Sequence, residues 1–80
     1  MANDISIYPN PVNHILTIEI PRGIIGISNI KIYNLVGKEL MRQDLITETT
    51  RLNVSDLKSG IYILEISNHL GTINERIVIK

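Results

Sequence analysis

Bulky aliphatic residues recur at every second position along most of this chain. Leu16, Ile18 and Ile20 alternate with Thr17 and Glu19. Ile30 and Ile32 alternate with Lys31 and Tyr33, Leu52 follows Arg51 and precedes Asn53, and Ile77 and Ile79 close the sequence. A period of two places such residues on one face of an extended backbone and cannot form a helical stripe. Isoleucine reinforces the pattern, because its branched Cβ is stiff at χ1 and suits a pleated surface. Phe and Trp are absent and Ala occurs only at position 2, so the apolar set leans away from helix.

Turn residues cut this pattern into about seven short strands. Ile5-Ser6-Ile7 is a brief alternation that runs into Tyr8-Pro9-Asn10-Pro11. Two prolines flanking an asparagine forbid helix and regular ladder pairing, so this segment reads as a stiff corner. His14 to Ile20 is a half-buried strand ended by Pro21-Arg22-Gly23, and Ile24-Ile25-Gly26-Ile27 is an apolar connection, read as folding back on the sandwich or forming a contact site. Asn29 to Leu35 and Lys38 to Leu45 are predicted to pair across a tight turn at Val36-Gly37, with Gly37 carrying a positive φ. The second of these is the more polar and suits an edge. Thr49 to Val54 is followed by a turn or single loose helical turn at 55–60, stopped by Gly60. Ile61 to Ser67 carries bulk on both faces and is predicted to be central. Asn68-His69-Leu70-Gly71 is a hairpin loop before the last strand, Thr72 to Lys80. The fold class that fits is all-β, a small antiparallel two-sheet sandwich, with a small barrel as the alternative.

Eighty residues make one domain with a modest core. The net charge of zero offers no cationic excess for nucleic acid or for an anionic bilayer. With no cysteine there is no disulfide, thiol chemistry or Cys-based metal site. No apolar stretch approaches the ~20 residues of a membrane helix, so no membrane insertion is expected. Met1-Ala2-Asn3-Asp4 has neither a basic nor an apolar region and does not read as a signal peptide; the chain reads as a piece of a longer one.

The parts of a catalytic or metal site do not assemble on paper. His14 and His69 lie far apart in sequence without neighbouring ligands, and a metal site needs three or four converging donors. No serine sits in a nucleophile elbow, and the acids are scattered rather than paired about a cleft. None of the glycines forms a phosphate-binding loop. Tyr8, Tyr33 and Tyr62 read as core or sheet-face residues with hydroxyls reaching water. The expectation is a non-enzyme with no cofactor.

Four segments together resemble a known family. They are Tyr8-Pro9-Asn10-Pro11, then Ile32-Tyr33-Asn34-Leu35-Val36-Gly37-Lys38-Glu39-Leu40, then Leu57-Lys58-Ser59-Gly60-Ile61-Tyr62, and last Arg76-Ile77-Val78-Ile79-Lys80. In order and spacing this is similar to the type A C-terminal sorting domain of the Bacteroidetes type IX secretion system. The resemblance runs from Tyr8 to Lys80, leaving 1–7 as a linker with a first short strand.

The resemblance implies an immunoglobulin-like sandwich at the end of a secreted cargo protein. Its expected partners are the type IX translocon, outer-membrane shuttle proteins and a sortase, together with an N-terminal cargo domain. The expected route is the periplasm in transit, then the cell surface or the medium, with cleavage near or before Ile5. Carried over by position, recognition falls to Pro9, Asn10 and Pro11, to Gly37 and Lys38, to Gly60 and Tyr62, and to Arg76, Ile77, Val78, Ile79 and Lys80. Arg76 stands where the family usually has Lys, and the two head groups are not equivalent. An exposed last strand whose unpaired backbone groups add to a partner's sheet is the expected physical mode. The alternative reading is an immunoglobulin- or fibronectin-like spacer or glycan-binding module of a surface protein, although the exposed aromatics a glycan binder wants are missing.

Overall fold

The computed structural model describes residues 5–20, 28–45, 48–68 and 71–80. The connection at 21–27, including the apolar Ile24 to Ile27, lies outside the described residues, as does His69. Seven strands form: β1 (Ser6–Tyr8), β2 (Ile15–Glu19), β3 (Ser28–Tyr33), β4 (Glu39–Leu45), β5 (Thr49–Asn53), β6 (Gly60–Asn68) and β7 (Gly71–Ile79). No helix occurs among the described residues; the segment after β5 is a plain turn, held by Leu57 N–H donating to Val54 C=O at 3.0 Å.

All ladders are antiparallel, and they build two sheets, a three-stranded one of order β1-β2-β5 and a four-stranded one of order β4-β3-β6-β7. This is the small two-sheet sandwich expected from the period-two patterning, and not the barrel that the same patterning allows. Alternation decides the inward faces. Leu16, Ile18, Ile20, Leu52 and Val54 face in from one sheet; Ile30, Ile32, Tyr62, Leu64, Ile66, Ile77 and Ile79 face in from the other. Val12, fully buried, joins this core from the segment between β1 and β2.

One position departs from simple alternation, and one keeps it with a polar residue. Thr17 was expected to face solvent but is only 9% exposed. It stands in register between Tyr8 on β1 and Arg51 on β5, whose long side chains flank it. Thr50, paired with Ile18, is the one polar residue on the inward face of β5.

Position in the sheet follows composition. β6, bulky on both faces, lies between β3 and β7, while the polar β4 is an edge. The β3–β4 connection is longer than a two-residue turn. Gly37 N–H donates to Asn34 C=O and Asn34 N–H to Lys38 C=O, both at 3.0 Å, so Leu35, Val36 and Gly37 form a three-residue loop. Gly37 has φ of +91°, the conformation such a loop needs at its last position. Asn34 Oδ1 accepts from Val36 N–H and Lys38 N–H and pins the loop.

Candidate functional site

The strand registers carry all four sorting-type segments to one end of the sandwich. β3 ends at Tyr33 opposite Ile63, so the 34–38 loop lies beside the start of β6. Gly60, Ile61 and Tyr62 pair with Ile79, Val78 and Ile77, so the start of β6 lies against the end of β7. The proline corner joins them through a parallel bridge between Val12 and Ile79.

That junction is built on a side chain. Asn10 Nδ2 donates to the carbonyl of Arg76 at 3.1 Å, and Asn10 Oδ1 accepts from the N–H of Val78 at 3.0 Å. One amide side chain thus occupies two backbone groups on the outer edge of β7, as a peptide unit of a neighbouring strand would. Val12 extends the join: its N–H donates to Val78 C=O and its C=O accepts from Lys80 N–H, each at 2.9 Å. Pro9 and Pro11 flank this clamp, exposed, and both Tyr8–Pro9 and Asn10–Pro11 are cis. The last strand is therefore not an open edge along its final residues, contrary to expectation. The physical reason is that a proline corner cannot ladder through its own N–H groups, but the asparagine amide between the prolines can.

Tyr62 is buried at 8% exposure, and its hydroxyl donates to the carbonyl of Lys58 at 2.6 Å rather than reaching water. A tyrosine near the start of this strand, bonded back to the preceding loop, is the corner device of immunoglobulin-like sandwiches. Ile77 and Ile79 are likewise buried, at 0% and 2%. These three act through the core. Arg76, Val78 and Lys80 alternate with them and present their side chains on the outer face of the four-stranded sheet. Lys38 is exposed at the loop, and Gly60 opens β6 opposite Ile79.

The outer face holds further residues that sequence reasoning did not assign to recognition. Tyr33, Ile63 and Arg76 stand in one cross-strand row, with Ile61 and Val78 in the next. Ile61 is 44% exposed, and Leu35 and Val36 at the adjoining loop tip are 66% and 89% exposed. The signal was present in the bulk on both faces of β6, of which only one face can enter the core.

Electrostatics at this end are local. Arg42 pairs with Glu39 at 3.1 Å, and that hydrogen bond holds its guanidinium pKa above the ordinary value. On the other sheet the Tyr8 hydroxyl donates to Glu19, which raises the phenol's pKa; partial desolvation and the carboxylate's charge push the same way. His14 is exposed, and its carbonyl accepts from Val54 N–H. Among the described residues no three His, Asp or Glu side chains converge to hold a metal ion, and no helix is long and apolar enough to cross a membrane.

An all-strand, two-sheet antiparallel sandwich with its proline corner, glycine loop and terminal basic strand gathered at one end defines a small immunoglobulin-like domain. The profile of the family described as secretion system C-terminal sorting domain matches residues 6–80, and the chain belongs to that family. It is 37% identical over 77 residues to beta-agarase D of Zobellia galactanivorans, a match that covers 95% of this chain and 15% of the agarase. In structure it is similar to part of PorZ, a surface component of the type IX secretion system of Porphyromonas gingivalis. The TM-score is 0.78 at 20% identity, over 98% of this chain and 12% of PorZ, and this likeness concerns the fold.

Proposed function

We propose that this domain is a non-catalytic signal that directs a cargo protein through the type IX secretion system and across the outer membrane. The observation that carries the reading is the family match over residues 6–80, in a chain whose relative is a much longer enzyme. The cargo reaches the periplasm, the folded sandwich is read there by proteins of the translocon and its outer-membrane shuttle, and the cargo ends at the surface or in the medium. A sortase then removes the domain upstream of β1. Recognition uses the end of the sandwich where the four segments meet.

A reporter with its own N-terminal export signal, fused ahead of residues 1–80, tests this. In type IX-competent cells the reporter is expected at the surface or in the medium, and in otherwise identical cells lacking the translocon it stays periplasmic. Periplasmic retention in both strains refutes the reading. Deleting Ile77 to Lys80 is a poor substitute, because it removes two core residues and the partners of Val12 along with any signal.

A further inference from the structure

The outer face of the four-stranded sheet divides into two halves. Toward the far end the row is charged across three strands: Arg42 stands beside Lys31, and Lys31 beside Glu65. Toward the end where the sorting segments meet, the centre is apolar, with Tyr33, Ile61, Ile63 and Val78 on adjacent strands. Cations border this apolar half: Arg76 in the row of Tyr33 and Ile63, Lys38 at the loop, and Lys80 continuing the alternation beyond Val78. Glu39 stands opposite Tyr33 at the β4 end of that row and is paired with Arg42, while among the described residues none of the three cations forms an ion pair, so the uncompensated charge of the rim is positive.

An apolar centre with a polar rim is the anatomy of a protein-binding surface. Tyrosine and arginine are the residue types that most often carry binding energy in such a surface. The positive rim selects a partner whose rim is negative, because complementary charges steer the encounter and like charges oppose it. An anionic bilayer fits less well: the chain as a whole is neutral, and three separated cations fall short of the dense basic cluster that a lipid surface requires.

We propose that Tyr33, Ile61, Ile63 and Val78, with Arg76 and Lys80, form the docking face for a protein of the export apparatus that presents an apolar patch rimmed by carboxylates. This rests on the sorting-signal reading and names the partner's chemistry.

The experiment uses the reporter fusion in type IX-competent cells, with the unsubstituted fusion as reference. Retention of that reference refutes the sorting reading itself. When it is exported, Ile61→Ser and the double reversal Arg76→Glu/Lys80→Glu are each expected to reduce export at least about tenfold, the scale of a lost interface anchor. Circular dichroism and thermal melts of the isolated 80-residue chain are expected to stay near the unsubstituted values, since these side chains face outward. Arg51→Glu, on the outer face of the other sheet, is expected to export normally. A benzophenone side chain at position 63 is expected to crosslink to a protein at a peptide rich in Asp and Glu. Normal export of both variants overturns the docking face while leaving the sorting reading intact. Crosslinking only to lipid overturns the protein partner.

Discussion

The two halves of the outer edge of β7 are built alike and finished differently. Toward the chain's end the outward N–H and C=O of Val78, the carbonyl of Arg76 and the N–H of Lys80 are all taken, by the Asn10 side chain and the Val12 backbone. By the same alternation the backbone groups of Thr72 and Asn74 also point away from β6. Among the described residues nothing pairs with them. Beside this bare half, Ile5 and Ile7 of the opposite sheet and Ile73 and Glu75 of β7 line a groove of about 180 Å³. One strand thus carries a closed seam and an open one. The sheets of a sandwich leave such seams wherever two edge strands lie over one another, and free edges invite pairing with other chains. The closed half coincides with the segments shared with the sorting family. The proline corner stabilises the very strand whose outward side chains are proposed to be read, and the hydrogen-bonding groups of that edge are already taken there.

The largest effect is expected from breaking the seam at its buried point. Val12 is fully buried between the sheets, and its backbone makes two of the seam's bonds. Val12→Ala keeps the bonds but removes two methyl groups, costing about 2–3 kcal/mol once the cavity is included. A chain of this size has roughly 4–12 kcal/mol of stability, so the loss is large. Thermal unfolding should shift down by roughly 10–15 °C. A shift of a degree or two would mean that Val12 packs too loosely to hold the corner.

A smaller effect is expected at the amide clamp. Asn10→Ala leaves Val78 N–H and the Arg76 carbonyl without their protein partner. Both lie at the surface, where water replaces the lost bonds, so the cost is about 1 kcal/mol rather than the larger penalty of a buried orphan. Hydrogen exchange at Val78 should speed up while exchange at Ile77, bonded inward to β6, changes less. Asn10→Asp keeps the acceptor for Val78 and loses only the donor, so it should fall between. Equal exchange in all three proteins would show that the clamp contributes nothing.

Much of this was legible in the chain itself. Alternating aliphatics fix the inward face of every long strand, because a slip of one residue would turn Leu64 and Ile66 out and Ile63 and Glu65 in. The central place of β6 follows from bulk on both its faces. Contacts between segments far apart in sequence were not legible. Asn10 reads locally as a turn residue; only the fold brings Arg76 and Val78 to it, 66 and 68 residues away. Tyr62 reads as an amphipathic sheet residue, and its bond to Lys58 depends on how the β5–β6 loop returns. For the recognition residues, sequence could name the segments and, on the last strand, their inward face, but not how the segments meet. Alternation alone sets Ile77 and Ile79 apart from Arg76 and Lys80; that the outer backbone edge of this strand is closed by Asn10 and Val12 was not legible.

The smallest effect on stability, and the sharpest test of the comparison, lies at the bare half. Asn74 faces outward on an edge that no described residue pairs with, so Asn74→Lys should leave the melting temperature nearly unchanged, within about 0.5 kcal/mol. Its effect should appear instead in association, because a charged edge residue opposes pairing with another strand. If Asn10 closes one half of an otherwise open edge, Asn10→Ala lengthens the free edge and should raise self-association in sedimentation at high protein concentration. Adding Asn74→Lys to that variant should bring it back toward monomer without restoring its lost stability. Recovery of both together would mean that the two halves behave as one edge, and that the clamp is a stabilising bond with no part in protecting the strand.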